Sequence, residues 1–579
     1  MEPHPRPSWP LVGLLALAGA LLSCPGRDDD DTNGDDDASA GDDDAGDDDT
    51  SGDDDTSGDD DSTADPYIQP ETYVSPHDLE PSGTATVHYG GGLADGESLT
   101  LRYGFNGWNL TQGVTGYQLV TQNGNTDFFI DATMAPVAGG FEVTVDLPTE
   151  LKALHFKFFR DEDGELTWDD NDGRDYHQSA IFPYIGPMLT WNADTTPQTG
   201  VVVTFETSIP CLGTVEYGTT AALGQAVLGQ GLATLHRIPL TGLQPDTEYH
   251  YRVLDSGGHA TAVHTFRTAP TDPALIRFAA LADMQDSGEG QSRWSDVVEA
   301  VADEGGELDF LILPGDMPFD DYPGLWWLYF DRARDLLPGV VTMPAVGNHE
   351  TPGIPHDPDT SSFLYYFDLP YAVVGGCHFR FDYGPATFLA LNSEVFDELA
   401  PSGLQYDWLA AELQSIYVTG DHDWIFSFFH VPPYNVGARR SEEQDDLRPL
   451  SSMFDGLVDW VFTGHEHLYQ RMIPLRHEAS PSPSGEYGTA TDQGVGYMVL
   501  PPAGHSPSKS VVEPGGPSAY LRDLVAYPTI DEVQTQVDSE IGFVVVSLQG
   551  NAITLETWGM GSLDAPQSAH VMDVISYQK

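Results

Sequence analysis

The sequence predicts a multidomain protein in which two β-sandwiches precede a layered α/β domain. Three observations predict this order. The 579-residue chain is 40% hydrophobic, which is enough for several separate cores. Residues 66–183 and 184–270 carry short alternating runs between turn residues, a pattern typical of antiparallel sandwiches. Residues 271–579 alternate strand-like and helix-like runs, so we expect two packed sheets flanked by helices, an αββα arrangement.

The first 24 residues have the pattern of an export signal. Arg6 precedes the apolar run Trp9 to Ser23, which is too short for a comfortable bilayer span. The run ends in "LLSC", which resembles the bacterial lipobox, so residues 1–24 are predicted to be a lipoprotein-type signal peptide with Cys24 lipidated. A plain signal peptide cut elsewhere stays open. We expect the protein to be lipid-anchored to a membrane of the bacterial envelope or surface, facing an extracytoplasmic space, or alternatively to be secreted.

Residues 25–65 are predicted to be a disordered, aspartate-rich linker. The run from Asp28 to Asp61 contains 19 aspartates, and a charged low-complexity run repels itself and has little apolar surface to bury. The formal net charge of the whole chain is −68. Such an acidic protein repels phosphate backbones, so nucleic acid is not expected as a partner.

The first sandwich contains two motifs that resemble a known sugar-binding family. These are "GFNGWN" (Gly104 to Asn109) and "HFKFFRDEDGELTWDDNDGRDYH" (His155 to His177), and together they resemble a starch-binding carbohydrate-binding module. Exposed aromatic rings of that family stack on sugars. The resemblance therefore implies Trp108 and Trp168 as candidate stacking residues and a starch-like glycan as a candidate partner. The alternative, that these tryptophans belong to the sandwich core, stays open.

The second sandwich, residues 184–270, carries no chemistry of its own. Its "LQPDTEYHYRV" places Pro245 and Asp246 at a turn before an alternating strand. This segment resembles the fibronectin III-like domain that precedes the catalytic domain of purple acid phosphatases. Cys211 and Cys377 fall in different predicted domains, so we expect two isolated buried thiols rather than a disulfide, although sequence alone does not exclude the pair.

Metal-type residues follow the strand-like runs of the α/β domain. Ligands bind at the carboxyl ends of strands in open α/β sheets, and carboxylate, amide and imidazole donors suit Zn, Fe and Mn. An aspartate after a strand usually has a simpler role in a turn, but here the residues form an ordered set: Asp283, Asp316, Asn348, His430, His465 and His467.

The same ordered motifs, "GD", "GNHE", "FFHVPPY" and "GHEH", resemble those of the calcineurin-like metallophosphoesterases. With "GHEHLYQR" and the fibronectin-like segment upstream, the chain looks most like the purple acid phosphatase branch. The resemblance implies two divalent or trivalent metal ions (Fe, Zn or Mn). One ion would be held by Asp283, Asp316 and His467, and the other by Asp316, Asn348, His430 and His465. His349 matches the position that contacts the substrate and helps to stabilise or protonate the leaving oxygen.

Three positions depart from the family pattern. Phe319 stands where purple members have a tyrosinate ligand, so we expect no tyrosinate-to-iron colour, and Tyr322 is poorly spaced to replace it. Gln285 is a candidate extra ligand of a metal or of a bound water. Arg439 and Arg440 stand where the family often has histidine, and Arg440 is a candidate clamp for phosphate oxygens. A solvated basic pair is the alternative.

The sequence therefore predicts an exported phosphatase that hydrolyses phosphomonoesters with a metal-activated hydroxide at a binuclear centre. The partner would be a small phosphate ester. A phosphodiesterase or nucleotidase on the same site is an alternative, because the two-metal core serves both reactions. An alternative of another class is a glycan-binding lipoprotein of the cell surface whose phosphoesterase domain is inactive.

Overall fold

The computed structural model describes residues 71–579 except 110, 113, 123–124, 172, 289, 305–306, 352, 355–356, 374, 421, 439–443 and 517. The predicted signal peptide with Cys24, the aspartate-rich linker, and the candidate clamp Arg440 lie outside the described residues. No helix within the described part of the chain combines the length and apolar character needed to cross a membrane.

The first ten strands form a β-sandwich of two antiparallel sheets. One sheet has the order β1-β2-β7-β6, and the other has the order β10-β8-β3-β5-β4 with β9 paired to β8. Alternation places Ala85, Val87 and Tyr89 of β2 in the core between the sheets. The strands are β1 (Tyr73–Ser75), β2 (Thr84–Tyr89), β3 (Thr100–Phe105), β4 (Gln118–Gln122), β5 (Asn125–Thr133), β6 (Ala135–Val137), β7 (Gly140–Asp146), β8 (Ala153–Glu162), β9 (Glu165–Asp169) and β10 (Tyr176–Ser179).

The next seven strands belong to the predicted second sandwich. Tyr249 and Tyr251 lie on the buried face of one of them, as the alternation predicts. The strands are β11 (Ile185–Thr190), β12 (Gly200–Cys211), β13 (Thr214–Gly218), β14 (Gln225–Leu228), β15 (Ala233–Thr241), β16 (Glu248–Leu254) and β17 (His264–Arg267). The order β14-β13-β16-β17 forms one sheet, whereas β11, β12 and β15 continue into the sheet of the α/β domain.

Within the described residues after 270, strands and helices alternate as predicted. The strands are β18 (Ile276–Ala280), β19 (Phe310–Pro314), β20 (Val341–Ala345), β21 (Gly353–Ile354), β22 (Asp357–Pro358), β23 (Phe379–Tyr383), β24 (Ala386–Ala390), β25 (Trp424–Phe428), β26 (Trp460–Thr463), β27 (Gln470–Met472), β28 (Leu475–Arg476), β29 (Ser480–Pro481), β30 (Gly496–Val499), β31 (Val525–Tyr527), β32 (Gly542–Gln549), β33 (Ala552–Gly561) and β34 (Pro566–Gln578).

The α-helices of this region are α1 (Trp294–Glu304), α2 (Pro323–Arg332), α3 (Ser361–Tyr366), α4 (Phe396–Leu399), α5 (Leu404–Thr419), α6 (Gln444–Leu447) and α7 (Ser451–Phe454). Short 3₁₀ turns cover Arg448–Leu450, His477–Ala479 and Ala519–Leu524. Helix α5 ends at Thr419 and is capped by Gly420, whose φ of 64° is the left-handed conformation that glycine adopts without penalty.

Two mixed sheets pack face to face in the α/β domain. One has nine strands in the order β15-β12-β11-β20-β19-β18-β32-β33-β34, and the other has seven in the order β23-β24-β25-β26-β30-β27-β31. Phe278 of β18 lies 5.1 Å from Phe388 of β24 and 5.5 Å from Phe426 of β25, measured between ring centres. Helices α1 and α2 pack into this core, whereas α5 packs with the opposite faces of β25 and β26 in a second core.

The nine-stranded sheet crosses the predicted boundary between residues 270 and 271. The crossing is a parallel contact of β11 with β20, where Leu189 pairs with Val341. The fibronectin III-like segment is thereby joined to the α/β domain through a shared sheet. Cys211 and Cys377 are buried free thiols, as the sequence predicts.

The two candidate stacking tryptophans have different surroundings. Trp108 is only 3% exposed, so the interpretation of Trp108 as a sugar-stacking platform is wrong. Its indole nitrogen donates to Oδ2 of Asp175 at 2.9 Å, and its loop packs against Gly324 at the start of α2. Trp168 is 37% exposed. The first sandwich thus buries Trp108 against the α/β domain and leaves Trp168 partly exposed.

Candidate metal centre

Five strands of the two packed sheets, β18, β19, β20, β25 and β26, end at one place. The loops that follow them hold the predicted ligand residues. Four of these residues, Asp283, Asp316, His465 and His467, have φ angles of 58°, 58°, 71° and 49°, which non-glycine residues rarely adopt. Such conformations cost on the order of 1–3 kcal/mol each and occur mostly at functional sites. All four side chains are buried.

The first ligand group consists of Asp316, His430 and His465, whose donor atoms lie within 4.8 Å of one another. Nε2 of His430 is 3.0 Å from Oδ2 of Asp316 and 3.1 Å from Nδ1 of His465. The side-chain oxygen of Asn348 is 2.9 Å from Nδ1 of His465 and 3.1 Å from Nε2 of His430. One oxygen of Asn348, one carboxylate oxygen and two imidazole nitrogens therefore converge on one point.

The second ligand group consists of Asp283, Asp316 and His467, again within 4.8 Å of one another. Nε2 of His467 is 3.4 Å from Oδ1 of Asp283. The backbone N–H of His465 donates to the same carboxylate at 2.9 Å. Because Asp316 belongs to both groups, the arrangement is a candidate binuclear His/Asp metal site.

The donor set fits a cation. Nδ1 of His430 lies 2.9 Å from the carbonyl oxygen of Pro314, which can only accept, so this nitrogen carries the proton and Nε2 faces the cluster. Burial would lower the pKa of His430, but Asp316 and Asp283 raise this pKa to about 10. The position therefore favours a positive charge, which a metal ion supplies when it replaces the proton.

The same charges that raise the pKa of His430 lower the pKa values of the two aspartates. Burial would raise the pKa of Asp283, yet His467 and His430 hold this pKa below its usual value. Burial would also raise the pKa of Asp316, but the imidazoles of His430, His349 and His465 lower it. Both carboxylates are thus set up to be ionised, which is the form that ligates metals.

Glu350, the last residue of "GNHE", holds the backbone around Asp316 in place. The Glu350 carboxylate accepts hydrogen bonds from the backbone N–H groups of Asp316 (2.9 Å), Met317 (2.5 Å) and Gly347 (2.7 Å). Burial and the adjacent Asp316 raise the pKa of Glu350 to about 8, while these amides oppose the rise. Gly347 is required here, because a Cβ atom would lie 2.4 Å from the Asp316 carboxylate.

His349 and Gln285 also contact the shared aspartate. The backbone N–H of His349 donates to Oδ1 of Asp316 at 3.0 Å, and its side-chain Nε2 lies 3.9 Å from Oδ2. Its Nδ1 donates to the carbonyl oxygen of Phe319, so Nε2 is the nitrogen that faces the site. The amide nitrogen of Gln285 donates to Oδ2 of Asp316 at 2.6 Å, so this buried side chain orients the shared carboxylate.

The position of the missing tyrosinate is occupied by an apolar ring. Phe319 lies beside His349 and His505, with ring centres 5.7 and 6.1 Å away. The hydroxyl of Tyr322 instead lies 3.3 Å from Nζ of Lys157 in the first sandwich. His505, which no motif of the sequence assigns to the site, lies 4.7 Å from the ring of His467. The only indication of this position in the sequence is that a histidine stands in a loop rich in Pro and Gly.

The chain resembles known phosphoesterases in two adjoining segments. Residues 276–469 match the calcineurin-like phosphoesterase family, and residues 187–268 match the N-terminal domain of purple acid phosphatases. Purple acid phosphatase 18 of Arabidopsis thaliana is 30% identical over 283 residues, which is 44% of this chain and 60% of the plant protein. An uncharacterized protein of Mycobacterium tuberculosis is 27% identical over 270 residues, which is 41% of this chain and 50% of that protein.

Two solved structures share the fold. Purple acid phosphatase PPD1 from yellow lupin seeds superimposes with a TM-score of 0.57 at 15% identity, covering 87% of this chain and 95% of the lupin chain. PhoD superimposes with a TM-score of 0.51 at 12% identity, covering 69% and 91%. At these identities the likeness concerns the fold alone.

The site and the sequence matches point to one class. Residues 276–469, which contain most of the candidate metal site, match the calcineurin-like phosphoesterases, a class of phosphoric ester hydrolases. The chain is also similar to the purple acid phosphatases, both over residues 187–268 and in its alignment with the plant protein. The chain spans about three fifths of the length of purple acid phosphatase 18.

Proposed function

We propose that the protein is an exported, metal-dependent phosphatase that hydrolyses phosphomonoesters. The observation that carries this proposal is the pair of buried ligand groups that share Asp316 at the ends of adjacent strands. Two ions of Fe, Zn or Mn bound there would lower the pKa of a water molecule and polarise the phosphoryl oxygens. The net charge of −68 supports a small ester rather than nucleic acid as the substrate.

The protein residues orient the reaction. Asp283 and His467 would hold one side of the centre, and Asn348, His430 and His465 the other, with Asp316 between them. Gln285 and the backbone of His349 fix both oxygens of Asp316, so that its carboxylate keeps one orientation. Preorganised groups of this kind need no rearrangement during the reaction.

His349 is the proposed proton donor to the leaving oxygen. Its half-buried ring is held by the Phe319 carbonyl at Nδ1, and Nε2 faces the shared aspartate. A proton on Nε2 would be donated to the oxygen of the departing alcohol.

Turnover of p-nitrophenyl phosphate and bis-p-nitrophenyl phosphate by the metal-loaded protein tests the proposal. We expect the monoester to be preferred and the Asp316→Asn and His465→Ala variants to lose activity while their circular dichroism stays native. His570→Ala, which replaces a histidine of β34 whose side chain is 42% exposed, is the matched control and should keep full activity. Preference for the diester would favour a phosphodiesterase. If the Asp316→Asn and His465→Ala variants hydrolysed the monoester as fast as the wild type, an enzymatic role for this site would be contradicted.

We also propose export and lipid attachment at Cys24, supported by the "LLSC" motif. In a bacterial host, the wild-type protein should label with a fatty acid analogue and sediment with membranes, and Cys24→Ser should do neither. Sedimentation of an unlabelled wild-type protein would contradict lipidation.

Glycan binding by the first sandwich is a separate proposal, and failure of the intact protein to bind insoluble starch would end it.

A further inference from the structure

The loop that follows β30 lies across the second ligand group of the candidate metal centre. The backbone N–H of His505 donates to the carbonyl oxygen of Asp283 at 3.2 Å, and that of Ser508 donates to the carbonyl oxygen of His467 at 2.7 Å. Asp283 follows a strand of the nine-stranded sheet, whereas His467 follows a strand of the seven-stranded sheet. His505 is therefore held between the two parts of the chain that meet in this group.

The ring of His505 packs against a histidine of that group. Its centre lies 4.7 Å from the ring centre of His467, and the two ring planes are inclined by 61°. His430 and His465 of the first ligand group have nearly the same relation, with centres 4.8 Å apart and planes inclined by 79°. Ring nitrogens of that pair lie only 3.1 Å apart and belong to one group of donors. The spacing of His467 and His505 is thus one at which two imidazoles can share an ion.

A hydrogen bond of the His505 ring selects the nitrogen that a metal ion needs. Nδ1 lies 3.3 Å from the carbonyl oxygen of Ser506, which can only accept, so this nitrogen carries the proton and Nε2 carries the lone pair. Nδ1 of His430 is bound to the carbonyl oxygen of Pro314 in the same way. Histidines that hold metal ions usually donate their second ring nitrogen to a carbonyl or a carboxylate. His505 therefore has the tautomer of a metal ligand.

The two ligand groups differ in the number of protein donors. The first has four, from Asp316, Asn348, His430 and His465. The second has three within 4.8 Å of one another, from Asp283, Asp316 and His467. Phe319, whose ring centre lies 6.1 Å from that of His505, has no donor atom in its side chain. His505 lies beside the group of three, and its ring is partly exposed, so it can turn toward an ion by rotation of the side chain.

We propose that His505 is a fourth protein ligand of the ion held by Asp283, Asp316 and His467, and that it binds this ion through Nε2. The inference rests on the proposed metal-dependent function and adds a donor that no motif of the sequence assigns to the site. The lone pair on Nε2 forms the bond to the ion. No proton is released, because the ring keeps its hydrogen on Nδ1. Both ions then have four protein ligands.

Cobalt(II) binding to a cysteine variant tests this bond directly. A thiolate bound to cobalt(II) gives an intense charge-transfer band in the near ultraviolet, whereas imidazole and carboxylate ligands do not. We expect His505→Cys loaded with cobalt(II) to show this band, because the thiolate takes the place of the imidazole. The wild type, which keeps its own cysteines, is the baseline. His570→Cys puts a thiol on β34, where the histidine is 42% exposed, and as the matched control it should lack the band.

Calorimetric titration of the metal-free protein with Zn²⁺ separates ligation from ring packing. His505→Ala should weaken the binding of one of the two ions by at least about tenfold, the smaller loss seen when even an outer residue of a metal site is removed, and leave the other ion unchanged. His505→Phe keeps a ring against His467 but offers no donor, so it should bind as weakly as His505→Ala. His505→Cys offers a thiolate and should recover most of the lost affinity.

The outcomes distinguish this proposal from the phosphatase function, because neither measurement requires turnover. If the wild type bound two ions but His505→Cys gave no cobalt–thiolate band, the ligand role of His505 would be overturned and the binuclear centre would stand. Wild-type affinity in His505→Phe would also overturn it, since packing against His467 would then be the role of the ring. A wild type that bound no ion would overturn both the ligand role and the metal centre on which it rests.

Discussion

Glu206 of β12 should make the protein less stable as the pH rises. Its side chain is 4% exposed where the two sandwiches and α3 meet, and Oε1 accepts from the Tyr365 hydroxyl at 2.9 Å. Burial raises the pKa of Glu206 from its ordinary 4.5 to about 7, against the opposing effects of Tyr365 and Arg174. The folded protein therefore holds a proton that the unfolded chain gives up, and the test is the variant Glu206→Gln, which cannot ionise.

The size of the effect follows from these two pKa values. A raised carboxyl pKa contributes stability that is complete below pH 4.5 and is lost as the pH rises through 7. Between about pH 5 and pH 8.5 the wild type should lose roughly 2–3 kcal/mol that Glu206→Gln keeps. The amide of the variant still accepts the hydrogen bond of Tyr365, so the packing at this junction changes little.

Urea unfolding at both pH values, followed by tryptophan fluorescence, measures the difference. The free energy of unfolding of Glu206→Gln, minus that of the wild type, should be larger by that amount at the higher pH. Glu162→Gln, which replaces a carboxylate on a side chain that is 72% exposed by an amide, reports what the loss of a surface carboxylate does. A difference between Glu206→Gln and the wild type that stays constant with pH would refute the reasoning.

Three further predictions concern the site and its supports. Glu350→Gln turns an NH₂ group toward backbone N–H donors, so it should destabilise the fold by about 1–3 kcal/mol in urea unfolding and reduce bound metal; unchanged stability would contradict this. His467→Ala and His465→Ala each affect one ligand group, so elemental analysis should find about one ion in each variant, and two ions in both would contradict the assignment. Trp108→Ala empties a buried site and should cost about 3–5 kcal/mol of unfolding free energy; a loss below 1 kcal/mol would mean that the docking of this loop is weak.

Local pattern was sufficient to predict most of the elements that carry the site. The run "WSDVVEAVADEG" has a helical pattern and contains α1 at Trp294–Glu304, and the apolar run "DWIFSFF" contains β25 at Trp424–Phe428. Strand ends could be located because apolar runs stop where the metal-type residues begin. The proximity of Asp283 and Asp316 could be expected because the parallel strands β18 and β19 bring their carboxyl ends to one edge of a sheet. His467 follows β26 of the other sheet and joins them because the two sheets pack together.

Contacts between distant segments could not be derived in this way. Trp108 is buried because its loop meets Gly324 at the start of α2, which no local pattern of either segment indicates. The pairing of Leu189 with Val341, which joins the fibronectin III-like segment to the phosphoesterase sheet, likewise depends on how the two domains dock. The three amides that bind Glu350 become visible only when the loops after β19 and β20 lie together.

The measurement that most directly tests the central claim is anomalous X-ray diffraction from crystals of the metal-loaded protein. The account predicts two anomalous peaks about 3.5–4 Å apart on either side of the Asp316 carboxylate. One peak should lie beside Asp283 and His467, and the other beside His430 and His465. A single peak, a peak away from Asp316, or no peak after loading with Fe, Zn and Mn in turn would contradict a binuclear centre.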